Sequence, residues 1–237
     1  MSKFTNMWEG LCFEHGTEEF ITLAPQFEKM WENLCDFNSH TNITAITDAE
    51  DTAVLHFLDS LTVSAIIPTD SEVLDVGCGG GFPSLPLALA RPDIKVTSLD
   101  STAKKLKFVD FCADSLGLKN ITSICQRAED LSEFREKFDV VTARGVASLD
   151  KLCEICIPSV KVGGKFIAMK AKSAEEELKS AGTGYKKLGC DEPTVKKVFL
   201  SNKDELLTRC LISYRKKAPT PSEYPRSWAK ISKNPLR

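Results

Sequence analysis

The sequence predicts an α/β fold, a mostly parallel sheet flanked by helices and preceded by an N-terminal helical extension. Three observations carry that reading. Apolar strands and amphipathic helical segments alternate from residue 72 onward, the pattern of βαβ units. The first strand runs into a glycine-rich turn, Val73-Leu74-Asp75-Val76-Gly77-Cys78-Gly79-Gly80-Gly81-Phe82, with a helix close behind it. Upstream of residue 68, Phe20, Leu23, Phe27, Met30, Leu34 and Phe37 recur at spacings of three and four, which is helical periodicity.

The elements follow in order. Residues 1–68 read as helical, with Pro25 in a first turn or at a kink. A polar loop over 38–47 precedes a second helix over 48–66 that opens on acids and closes at Pro68. Residues 72–76 form the first strand, 83–90 a helix with Pro83 in its first turn, and 95–99 a second strand ending at Asp100. An amphipathic helix over 102–116 turns Leu106, Val109, Cys112, Ala113 and Leu116 inward and closes on Gly117. Strands follow at 121–125 and 138–142, a helix at 149–160, a strand at 165–169 after Gly163-Gly164, and a helix at 173–181. The segments 195–200 and 210–215 read as closing strands with little between them, so one is expected to run antiparallel. Three parts result: a helical extension over 1–68, a cofactor-binding domain over 69–217 and a basic tail over 218–237.

Composition narrows the function. An apolar content of 42% supports a packed core. No apolar run approaches the ~20 residues of a membrane span, and Met1-Ser2-Lys3-Phe4 opens no signal-peptide core. Nine scattered cysteines, odd in number and set in apolar runs such as Phe111-Cys112-Ala113, read as reduced, buried thiols of a cytoplasmic protein. Cys153-Glu154-Ile155-Cys156 lacks the second ligand pair a structural zinc site wants, so no metal is expected. The net charge of −2 conceals a tail over 215–237 with seven Lys/Arg against the single acid Glu223. With Tyr224 and Trp228 interleaved, such a segment either contacts phosphates and stacks on bases or is simply solvated. Within it Arg226, Lys230 and Lys233 are the candidate RNA contacts.

The glycine turn specifies the ligand class. A strand ending in glycines lets the backbone approach a ligand closely, and the following helix offers free N–H groups. The dinucleotide fingerprint G-x-G-x-x-G is not met, because its third glycine would fall on Phe82 or on Ser84. A nicotinamide dinucleotide is therefore not expected. The pattern is Asp75-x-Gly77-x-Gly79-x-Gly81, which resembles motif I of the class I (Rossmann-like) S-adenosylmethionine-dependent methyltransferases. Asp100 ends the second strand 21 residues after Gly79, where an acid accepts hydrogen bonds from ribose hydroxyls. A helix N-cap role for Asp100 or Ser101 competes and can coexist. Ala128-Glu129 falls at the same carboxyl edge, so the Ala128 backbone suits an adenine edge. Arg144-Gly145 follows the fourth strand there, and Lys170, a further candidate RNA contact, ends the fifth. An arginine fork at that place suits a cofactor carboxylate or an RNA phosphate. His56 and Asp59, three apart, share a helix face. No catalytic residue stands out firmly; Arg144, His56 and Asp59 are the candidates.

Taken together, the chain resembles the RsmG (GidB) family of bacterial small-subunit ribosomal RNA guanine-N7 methyltransferases. The resemblance rests on Asn42-Ile43-Thr44, His56-Phe57-Leu58-Asp59-Ser60, the Asp75–Pro83 loop, Leu85-Pro86-Leu87, Leu99-Asp100-Ser101, Arg144-x-x-Ala147-Ser148 and the tail segments Tyr224-Pro225-Arg226 and Asn234-Pro235-Leu236. It implies S-adenosylmethionine as cofactor, with contacts on Gly77, Phe82, Ala128, Glu129 and Arg144, and 16S ribosomal RNA or the small subunit as partner. Ser84 and Ala171 stand where the family usually has glycine. A small-molecule methyltransferase of the same fold, or a non-enzymatic RNA-binding module, are the alternatives; the first would not need the basic tail, and the second would tolerate a broken glycine loop.

Overall fold

Among the described residues, seven strands build one sheet: β1 Glu72–Val76, β2 Lys95–Asp100, β3 Ile121–Cys125, β4 Phe138–Arg144, β5 Val160–Lys170, β6 Thr194–Asn202 and β7 Glu205–Arg215. In the computed structural model, which describes residues 1–130 and 132–237, their order is β3-β2-β1-β4-β5-β7-β6. The first five are parallel, β7 runs antiparallel to β5, and β6 pairs antiparallel with β7 as a hairpin. The antiparallel closing strand is thus β7. The chain order reverses between β1 and β4, which opens a crevice at the carboxyl ends of those strands.

The apolar runs of the central strands reflect burial on both faces. Successive side chains of β1 point opposite ways. Val73 joins Val63, Ile67, Leu87, Ala88 and Val140 on one face. Leu74 and Val76 join Leu152, Ile155, Phe166 and Ile212 on the other. Helix α5 (Ser84–Ala90) starts one residue later than expected, with Pro83 at its N-cap. Helix α6 (Ala103–Leu116) ends on Gly117 at φ 68°. Helix α7 (Leu149–Cys156) buries both Cys153 and Cys156, and all nine cysteines are free thiols, seven of them buried. Helix α8 is Ala174–Ala181.

The helical extension is part of the body. Helix α1 (Lys3–His15) is capped by Ser2, whose Oγ accepts from the Thr5 N–H at 2.9 Å. Helix α2 (Ala24–Asn38) carries Pro25 in its first turn. Trp8, Phe27 and Phe57 pack as tilted rings with centroids 4.4 Å and 5.0 Å apart. This cluster merges with Phe82, Leu85, Phe108, Val109 and Leu200. The next helix departs from the regular form: α3 (Ala49–Thr52) widens into a π-helical stretch, Ala53–Leu58, before α4 (Asp59–Leu61). Such a stretch re-aims side chains and is frequent at functional sites. Here it carries His56 and leads directly into Asp59.

Of the two readings open for the basic tail, phosphate contact or plain solvation, the packing of the segment bears on the second. Residues 218–237 do not stand off as a solvated strand of charge. Arg135 donates to the carbonyls of Thr220, Pro221 and Tyr224, Ile231 of α9 (Trp228–Lys233) is fully buried in the core, and Arg226 is locked to Glu154. Among the described residues no helix is long and apolar enough to cross a membrane.

Candidate active site

Two adjoining pockets open at the carboxyl edge of the sheet. The smaller, of about 280 Å³, is bounded by Gly77 and Gly79 after β1, Asp100 and Ser101 at the end of β2, Gln126 to Glu129 after β3, Gly145 and Val146 after β4, and by Lys105, Ile155 and Trp228. The larger, of about 830 Å³, takes His56, Asp59, Arg144, Lys170, Glu177 and Arg209. Gly145 and Val146 line both, so a two-residue wall separates them.

The glycine turn shapes the smaller pocket by contour. Gly77 and Gly79 lie at φ 70° and 56°, a region that disfavours any side chain. A Cβ on Gly77 would run into Val146, and one on Gly79 would point into open space with Lys105 Nζ at 3.9 Å. Five of the turn's N–H groups, by contrast, are already used. Those of Gly77 and Cys78 donate to Leu99 O at 2.7 and 3.0 Å, that of Gly79 to Asp100 Oδ2 at 2.9 Å, and those of Gly81 and Phe82 to Cys78 O. The helix start does not reach the pocket either. Ser84 is fully buried, and its hydroxyl donates to the buried Asp75 at 2.5 Å. The expectation that the α5 N-terminus presents donors to the ligand is therefore corrected: its first turn is tied to β1.

Gly81 and Phe82 also sit behind the pocket rather than on it. A Cβ on Gly81 would meet Leu85 at 2.6 Å, and the Phe82 ring stacks on His56 at 4.4 Å with planes 7° apart. Asp75 binds Ser84 and, at 3.3 Å, the Thr142 hydroxyl of β4. Burial raises its carboxyl to about 6 against the pull of Ser84 and Arg144. Asp100 does face the pocket. Its Oδ1 accepts from Thr102 N at 2.8 Å and its Oδ2 from Gly79 N, which leaves further lone pairs free. Ala128 opens a single 3-10 turn, Ala128–Asp130, so that turn leaves its N–H without an internal acceptor.

The larger pocket is built on a charge cluster. Asp59, nearly buried, accepts from Arg144 Nη1 at 2.9 Å and from Arg209 Nε at 3.1 Å. Arg144 also donates to Leu55 O at 3.1 Å and lies 5.8 Å from the Phe82 centroid. Lys170 pairs with Glu177 at 2.7 Å and donates to Ala147 O. Two arginines and one carboxylate leave one net positive charge here, because Lys170 is neutralised. His56 Nε2 meets Thr44 Oγ1 at 3.0 Å.

The sequence model of the rRNA small subunit methyltransferase G (GidB) family matches residues 23–207. Ribosomal RNA small subunit methyltransferase G of Limosilactobacillus reuteri is 40% identical over 232 residues, covering 94% of this chain and 95% of that protein. The Staphylococcus carnosus protein of the same name is 40% identical over 217 residues, covering 89% and 90%. The chain belongs to this family. It is a methyltransferase, and its fold is shared with structures of low sequence identity. A SAM dependent methyltransferase from Aquifex aeolicus superposes with a TM-score of 0.53 at 16% identity, covering 70% of this chain and 93% of that one. A point mutant of the 16S rRNA (adenine(1408)-N(1))-methyltransferase from Catenulisporales acidiphilia gives 0.54 at 15%, covering 69% and 92%.

Family membership makes the placements informative. Arg144, expected as a cofactor contact, lies on the larger pocket and not on the smaller one. Lys170 and Arg226, expected on RNA, are spent on Glu177 and Glu154. Lys230 and Lys233 remain exposed on α9. Sequence reasoning missed Arg209, Lys105, Gln126, Val146 and Trp228. Val146 directly follows the Arg144-Gly145 pair already singled out, and Trp228 was noted only as a tail aromatic. Arg209 gave no local signal, because its partner Asp59 is 150 residues away.

His56 yields a pH test. Burial, reinforced by the Arg144 charge, lowers its imidazole from 6.5 to about 4. Between those values the unfolded chain holds the extra proton, so this group's contribution to stability falls as pH drops from about 6.5 to about 4. Asp75, raised from 3.8 to about 6, has the opposite slope, gaining stability on acidification. A His56→Asn variant is therefore expected to lose less stability than the parent on going from pH 7 to pH 4.5, measured by urea unfolding. Parallel curves would mean the folded imidazole titrates normally.

Proposed function

We propose that this chain transfers the methyl group of S-adenosylmethionine to N7 of a guanine in 16S ribosomal RNA, in the cytoplasm, with the cofactor in the smaller pocket and the base entering the larger one. The observation that carries this is the shared Gly145–Val146 wall between a nucleoside-sized pocket and a cationic one. The smaller pocket's residues fit the cofactor: the Asp100 carboxylate suits ribose hydroxyls, the Ala128 N–H an adenine edge, and the side-chain-free backbone of Gly77 and Gly79 close approach of the chain. When bound, S-adenosylmethionine supplies an electrophilic methyl group.

Guanine N7 carries a lone pair at neutral pH, so no proton need be removed before attack. The site's work is then positioning. A neutral His56 stacked on Phe82 suits a rigid wall rather than a general base. The Arg144–Asp59–Arg209 cluster holds two planar forks in fixed orientation, which suits an RNA phosphate. Guanine N7 faces the deep, narrow major groove of A-form RNA, so the target nucleotide is single-stranded or unstacked. The experiment is to incubate the protein with labelled S-adenosylmethionine and ribosomal RNA and map the methylated base. A Gly79→Val variant is expected to stay folded, to lose cofactor binding by calorimetry and to transfer no label. Unchanged affinity in the folded variant would move the cofactor out of this pocket.

A further inference from the structure

The C-terminal segment reaches the cofactor pocket. Ala128, Glu129 and Ile155 line that pocket and also a neighbouring cleft whose other wall includes Tyr224 and Pro225. The segment therefore runs along the Ala128 side, and Trp228, the first residue of α9, closes the pocket there beside Ile155. Two anchors fix it on either side: Arg226 on Glu154, and Ile231 in the core.

The three tryptophans differ in how they are held. Trp8 is fully buried, donates its indole N–H to Phe20 O at 3.0 Å and packs on Phe27. Trp31 donates to Thr47 O at 2.9 Å and stacks on Phe4. Trp228 is 37% exposed and, among the described residues, has neither an indole acceptor nor an aromatic neighbour. An aromatic ring fixed at both flanks yet unstacked, at the rim of a nucleoside-sized pocket, is a stacking platform without its partner.

We propose that Trp228 is a cofactor-binding residue, forming the wall on which the adenine ring of S-adenosylmethionine stacks, so that the C-terminal segment is part of the cofactor site. This rests on the assignment of the smaller pocket to S-adenosylmethionine. It adds a cofactor role to a segment in which the sequence offered only RNA contacts. Base–aromatic stacking contributes enough to change affinity by about tenfold or more on loss of the ring.

The test is calorimetric titration of S-adenosylmethionine into the full chain and its Trp228→Leu and Trp228→Phe variants, with tryptophan fluorescence followed in parallel. The leucine variant keeps apolar bulk but loses the π face, and is expected to bind about tenfold more weakly. The phenylalanine variant keeps most of the affinity. The fluorescence change on cofactor addition is expected in the parent and lost with phenylalanine, because Trp8 and Trp31 lie outside the pocket. Parent-like affinity in a folded leucine variant, or an undiminished fluorescence change in the phenylalanine variant, overturns the proposal. Gly79→Val separates the two ideas. If it abolishes binding while Trp228→Leu does not, the pocket assignment stands and only the tryptophan wall falls. If the parent itself binds no S-adenosylmethionine, both fall.

Discussion

Arg144→Lys is expected to lower methyl transfer to ribosomal RNA by about a hundredfold while changing S-adenosylmethionine affinity by no more than about twofold. The separation follows from where Arg144 sits. It ends β4 beside the wall between the pockets, but its side chain belongs to the larger one. One guanidinium reaches the Asp59 carboxylate and the Leu55 carbonyl while lying over Phe82. A lysine ammonium keeps the charge but has no planar fork, so it cannot hold these contacts in one orientation. Folding should suffer less than catalysis, because Asp59 retains Arg209 and is not left as an unpaired buried charge. Steady-state kinetics against RNA, with calorimetry for the cofactor, distinguish the outcomes. If cofactor affinity collapses instead and the KM for RNA is unchanged, Arg144 acts on the cofactor, as the family resemblance implied.

That contrast marks how far the sequence reaches. The glycine turn, Asp100 and Ala128 were legible because each lies at a strand end, and a parallel sheet brings its strand ends to one edge whatever the intervening lengths. His56 and Asp59, three apart on a helix, do line one pocket, but they do not form the hydrogen-bonded pair that spacing allowed: Asp59 holds Arg144 and Arg209, and His56 Nε2 meets Thr44. What the sequence could not supply was the use of each group. Gly77, Gly79 and Gly81 are alike in spelling. Only the structure shows that the first two face a pocket while Gly81 packs under Leu85. Ser84 stands where the family usually has glycine, and only the structure shows that it turns inward to Asp75. The tail's charge was counted correctly, but net charge says nothing about which cations are already paired. Arg226 and Lys216 are both committed to acids elsewhere in the chain, Glu154 and Glu136.

The Arg226–Glu154 pair is where the largest loss of stability is expected. Glu154 is fully buried on α7, and all of its charge is answered by one residue 72 positions away. Arg226 donates its backbone N–H at 3.0 Å and Nε at 2.7 Å to Oε1, and Nη2 at 2.6 Å to Oε2, while Nη2 also holds the Asn234 carbonyl at 3.0 Å. Arg226→Ala removes the fork and strands a carboxylate in an apolar core, a change that costs about 3–5 kcal/mol and lowers Tm by on the order of 10 °C in a chain of this size. The C-terminal segment should then become open to limited proteolysis, since its clamp near Trp228 is gone. Glu154→Gln keeps one acceptor oxygen and turns the other into a donor facing Arg226, so it loses half of the fork but strands no carboxylate in the core, and should be milder. The decisive comparison is the double variant, Arg226→Ala with Glu154→Leu. With no charge left to bury, it is expected to recover much of the lost Tm. If the single and double variants melt together, the cost lies in lost packing of the tail and the ion pair is incidental.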